Sequence, residues 1–149
     1  RLTTPEAAAE AGLTGESGWV PVNPHTFEAT AAADIHVIGD ANIGSPMPKS
    51  GYIANSTSKT AVAAALADVT GREVWADPVY FNTCYSHIGQ DYGISVVGVF
   101  RPGEEGIGET PDSGGVSARG PLEEKAATRA LEARYADAWY DSITKDMFS

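Results

Sequence analysis

The stretch Ile35–Lys59, IHVIGDANIGSPMPKSGYIANSTSK, decides how the rest of the chain is read. It opens on Ile35, Val37 and Ile38, a short apolar run that predicts a buried strand. Gly39-Asp40 ends the run, a turn with Pro46 and Pro48 follows, and Ser50 to Asp68 is a small-residue segment that predicts a helix. A strand that delivers a carboxylate opposite a helix start is a ligand-binding arrangement, because open α/β sheets bind just beyond the carboxyl ends of their strands. The helix start offers N–H groups and about half a positive charge. Asp40 offers acceptors for hydroxyl groups, such as those of a sugar or ribityl chain. The alternative is an ordinary packed helix, whose alanines reflect helix propensity alone.

Composition narrows the classes. At 149 residues one domain, or a small domain with a piece of another, is expected. A formal net charge of -10 argues against nucleic-acid binding, which needs clustered Lys and Arg. It suits either solubility or a basic partner. No apolar run approaches the roughly 18 residues of a membrane span. The single cysteine, Cys84, excludes an internal disulfide and a cysteine-based zinc site, and His25, His36 and His87 are too scattered for a local metal motif, so no metal is expected.

From the start of the chain, Thr4 as cap, Pro5 and Gly12 predict one short helix. Trp19–Val22, broken by Pro21, is an edge strand at best. Asn23 to Ala33 reads as a loop. Gly71 should end the helix begun near Ser50, and Val74 to Val79, with Trp75 and Pro78, reads as a linker into a second unit. VYFNTCYS (Val79 to Ser86) and YGISVVGVFR (Tyr92 to Arg101) predict two antiparallel strands, with Ile94, Val96 and Val99 as core positions. Pro102 to Gly120 is loop-like, with one short strand near Ile107. Pro121 opens a long helix with Glu123 and Glu124 in its first turn and an apolar stripe of Leu122, Leu131, Tyr135, Trp139 and Ile143.

Six blocks in order, IHVIGDA, MPKSGYIANS, NTCYS, YGISVVGVFRP, PDSGGV and WYDSITKDMFS, resemble the C-terminal part of the flavoprotein subunit of flavocytochrome c sulfide dehydrogenase. The resemblance covers the chain from about Glu16 to Ser149. It implies an α/β fragment: residues 1–72 would be the end of a Rossmann-like FAD-binding domain, and residues 73–149 a small α+β C-terminal domain with antiparallel strands and a long terminal helix. Nothing reads G-x-G-x-x-G, so the pyrophosphate-binding part is expected upstream, in a missing N-terminal half.

The resemblance also implies site residues. Gly39, Asp40, Met47, Pro48, Lys49 and Ser50 would bind FAD, with Met47, Pro48 and Lys49 at the pyrimidine edge of the flavin, where the helix start favours negative charge. Cys84 would pair with a cysteine from the missing half in a redox-active disulfide that sulfide attacks. Taken alone, a lone cysteine with no flanking Lys or Arg reads as an inert buried thiol. Trp139 would stand beside the flavin, towards a c-type cytochrome subunit, and it equally fits the apolar stripe of a core helix. Glu28, Lys49 and Asp91 are further charged candidates, with Glu28 and Asp91 reading as solvated surface. Electrons would pass from sulfide through the disulfide and FAD to haem, in a periplasmic setting. Two other readings stay open. One is a quinone- or nicotinamide-linked flavin disulfide oxidoreductase, although the terminal helix lacks a basic membrane face. The other is a non-catalytic interface module. Weak or absent FAD binding is expected of these 149 residues alone.

Overall fold

The computed structural model describes residues 6–74 and 77–149, and side chains at all of these except 122 and 123. Thr4, Pro5 and Trp75, and the side chains of Leu122 and Glu123, lie outside that description. The chain forms two compact units, Arg1–Asn82 with Val99–Asp112, and Thr83–Gly98 with Ser113–Ser149.

In the first unit, helix α1 spans Glu6–Glu10 and helix α2 spans Gly51–Thr70. Ser50 caps α2, its hydroxyl accepting from the Ile53 N–H at 3.1 Å. Gly71 closes α2 in the left-handed conformation, φ 66, which only glycine adopts cheaply. One face of α2 buries Ile53, Thr57, Thr60, Ala61, Ala64 and Ala67, while Val62, Leu66 and Val69 stay exposed. The buried core joins Ile53 and Ala61 to Phe27, Met47, Tyr80 and Phe100. Phe27 and Tyr80 meet edge to face at 5.2 Å between centroids. The Tyr80 hydroxyl donates to the Pro24 carbonyl at 2.6 Å, and burial pushes its pKa above the ordinary tyrosine value. Thus the Asn23–Ala33 stretch, which reads as a loop, delivers a fully buried aromatic to the core.

The expected strand at Ile35–Ile38 is not built as a ladder. Its backbone meets the neighbouring turn, through Ala29 N–H to the Ile35 carbonyl and Val37 N–H to the Phe27 carbonyl, with one isolated bridge, Glu28 to His36. Val37 packs on a second cluster of Leu13, Val20 and Ala29, whereas Ile35 and Ile38 are exposed. The Trp19–Val22 stretch likewise makes isolated bridges, Val20 with Asn42 and Val22 with Ala29. Pro21 between them supplies no N–H to lengthen a ladder.

Strand β1 spans Tyr80–Gly89, β2 Tyr92–Gly103, β3 Gly106–Glu109 and β4 Gly115–Val116. The order is β1-β2-β3, with β4 also on β2. In the first unit the end of β2 pairs antiparallel with β3, Phe100 opposite Glu109. In the second unit its beginning pairs antiparallel with β4, Val96 opposite Val116. The mixed architecture, an antiparallel sheet with a long terminal helix, is that of a small α+β domain.

Helix α3 spans Leu122–Phe148, with Pro121 one residue earlier than expected, in the cap position. Its buried face is Arg129, Ala133 and Ala136, not the expected stripe. Leu131 and Tyr135 are exposed, and Trp139 and Ile143 half-buried. The reason is a close approach: a Cβ on Gly93 of β2 would stand 2.6 Å from the Ala133 backbone nitrogen. With backbones that near, only alanine-sized side chains fit between them. The same contact shifts the phase of β2, which buries Gly93, Ser95, Gly98 and Phe100 rather than Ile94, Val96 and Val99. Ser95 is satisfied there by Ser117, its N–H donating to the Ser117 hydroxyl at 2.7 Å.

Candidate functional site

In the first unit the site is the junction between a one-turn 3-10 helix, Gly39–Ala41, and the start of α2. Gly39 turns the chain with φ 66, and a Cβ there would touch the Cβ of Ala54 at 3.5 Å, so the turn lies directly against the first coils of α2. The backbone either side is tied to Val20, whose N–H donates to the Ala41 carbonyl and whose carbonyl accepts from Ile43. Buried Asn42 adds a side-chain bond to the Val37 carbonyl at 3.0 Å.

Lys49 closes this junction. Its ammonium donates to the carbonyls of Asp40 and Asn42 and stands 3.8 Å from the centroid of the Trp19 ring. A single cation thereby holds the turn to the residue preceding the α2 cap. Next to it, Ser50 both caps α2 and donates to the Asn82 side-chain oxygen at 2.6 Å. Met47 is buried in the apolar core, with Pro48 half-buried beside it. Gly39, Asp40, Met47, Pro48, Lys49 and Ser50 therefore gather around one turn and one helix start.

The Asp40 carboxylate is exposed and makes no hydrogen bond or ion pair among the described residues. Gly51, the first residue of α2, is also open, with nothing within 4 Å of where a Cβ would stand. An exposed acceptor carboxylate packed beside a helix start suits a group that carries both hydroxyls and electron-rich ring atoms.

In the second unit, Cys84 lies half-buried on β1. Trp139 lies half-buried on α3, its ring 5.8 Å from that of Tyr85. On the same strand, His87 Nε2 meets Asp137 Oδ1 at 3.5 Å. Tyr85 and His87, two apart, thus face α3, and alternation sends Cys84 to the other face of β1. Trp139 is a neighbour of Tyr85. Glu28 holds the Asp34 N–H through a side-chain oxygen at 2.8 Å, which is a structural use, and Asp91 is exposed.

Trp19, Asn42 and Asn82 are the site residues that sequence reasoning passed over. Trp19 carried a signal, an indole with a lysine ahead of a helix cap, but only tertiary pairing joins residues 19 and 49. Among the described residues no group of three or more His, Cys, Asp or Glu side chains could hold a metal ion, and no helix is long and apolar enough to cross a membrane.

The family described as flavocytochrome c sulphide dehydrogenase, flavin-binding, matches residues 76–148, which takes in β1 to β4 and α3.

Proposed function

We propose, from the match of residues 76–148 to the flavin-binding family of flavocytochrome c sulphide dehydrogenase, that this chain is part of a sulfide-oxidising flavoprotein that uses FAD and a cytochrome subunit. The family match is the observation that carries the reading. In this reading residues 1–72 complete an FAD-binding domain and residues 73–149 form the C-terminal domain.

The chain's own residues have distinct tasks. Asp40 accepts hydrogen bonds from FAD hydroxyls, and Gly39 keeps the turn close enough to α2 for both to serve one ligand. Lys49 and Ser50 orient that turn and the helix start, whose N–H groups favour negative charge on the ring. Cys84 is one sulfur of a disulfide whose other cysteine lies outside these 149 residues. Hydrosulfide attacks one sulfur of that bond; the S–S bond breaks, leaving a persulfide on one cysteine and a thiolate on the other. Bound FAD supplies an acceptor for an electron pair, which the flavoprotein passes singly to a c-type cytochrome. Such a disulfide fits an oxidising, periplasmic compartment.

The test uses the complete flavoprotein containing this chain. Asp40→Ala should weaken FAD binding about tenfold, equivalent to about 1.4 kcal/mol, with the fold retained because the side chain is exposed. Unchanged FAD affinity in that variant would remove Asp40 from the site. A flavin-free wild-type flavoprotein that takes up no FAD would overturn the functional reading itself.

A further inference from the structure

We propose that the pocket formed by Arg129, Arg134 and Tyr92 in the second unit binds a small free oxyanion, of carboxylate, sulfate or phosphate type. The pocket has a volume of about 560 Å³ and is lined by Asp91, Tyr92, Ala126, Arg129, Ala130 and Arg134. That size suits a small molecule.

The first observation is a buried charge without a counter-ion. Arg129 is only 7% exposed. Its guanidinium donates to the Tyr92 hydroxyl and to the carbonyls of Ala118 and Gly120 at 3.1 and 3.0 Å. All three acceptors are neutral. Among the described residues no carboxylate lies within ion-pair distance of it, and its Nε has no acceptor. Arginine stays ionised in proteins, so a guanidinium held this way has paid desolvation without recovering it from an anion.

The second observation is a donor left over. The Tyr92 oxygen accepts from Arg129, and its ring lies under the guanidinium at 4.6 Å. The Tyr92 O–H proton itself has no acceptor among the described residues. A hydroxyl polarised by a cation is a strong donor to an oxyanion.

The third is shape. Ala126, Ala130 and Arg134 form an i, i+4, i+8 row along α3, so two small side chains leave a trough that ends at an exposed cation. Arg134 supplies a second positive charge at the rim. Asp91, also exposed at the rim, opposes an anion and sets the affinity low. Nothing in the proposed sulfide chemistry uses this pocket.

The two rim charges give a test with opposite signs. The complete flavoprotein containing this chain is titrated with sodium sulfate and with sodium acetate, against sodium chloride at matched ionic strength. Amide shifts of Ala126, Ala130 and Arg134 and the Arg129 Nε–H resonance are followed by NMR. A saturable shift confined to these signals is expected with the oxyanions and not with chloride. Arg134→Gln, an exposed change that spares the fold, should weaken binding up to about fivefold, and Asp91→Asn should tighten it by a similar factor, the range of one exposed charge pair. Shifts that chloride reproduces, that never saturate, or that survive Arg134→Gln unchanged would overturn the proposal.

Discussion

Tyr80 shows how one side chain couples the core to pH. Its ring fills the centre of the first unit and its hydroxyl reaches the Pro24 carbonyl. Because burial raises the folded-state pKa, the phenol stabilises the fold fully below the ordinary tyrosine value, about 10. That stabilisation is lost as pH climbs from there through the raised folded value. Stability measured by urea unfolding should therefore fall steeply above about pH 10. Tyr80→Phe should flatten that fall while costing about 1–2 kcal/mol at neutral pH, since the Pro24 acceptor is left unpaired. At the same scale, Ser50→Ala should cost about 1 kcal/mol by removing the α2 cap, and the Asn82 oxygen loses its donor as well.

At the scale of elements, the contact between α3 and β2 is made of backbone and small side chains. Gly93→Ala should destabilise the chain by about 1–3 kcal/mol, because the new methyl meets the rigid backbone of Glu132 and Ala133 rather than a movable side chain. Thermal unfolding checks this, with Leu66→Ser on the exposed face of α2 as a comparison expected within about 0.5 kcal/mol of wild type. The same contact explains which parts of the fold were legible. Helix starts and stops could be read because their signals are local: Ser50 caps, Gly71 closes, Pro121 precedes α3. The buried faces could not, because hydrophobicity pointed to Leu131 and Tyr135 while Gly93 demanded alanines. Likewise Ile35–Ile38 had the composition of a strand but only a turn to pair with. Of the candidate site, the Gly39-Asp40 turn before a capped helix was legible as a unit. The Lys49 clamp on Trp19 was not, since thirty residues separate its halves and no local pattern encodes their meeting.

At the scale of the whole molecule, the first unit presents an exposed carboxylate beside the start of α2, the second carries the cysteine, and the family match at residues 76–148 takes in parts of both. In the proposed reading the first unit contributes to FAD binding and the second carries Cys84, the sulfur of the sulfide chemistry. The most direct test is anaerobic mixing of the complete FAD-loaded flavoprotein with sulfide, following the flavin's visible absorption, for wild type and Cys84→Ser. Wild type should bleach. The variant should stay yellow with sulfide yet bleach with dithionite, which shows that its flavin is present and reducible. Bleaching of Cys84→Ser by sulfide at the wild-type rate would contradict the account.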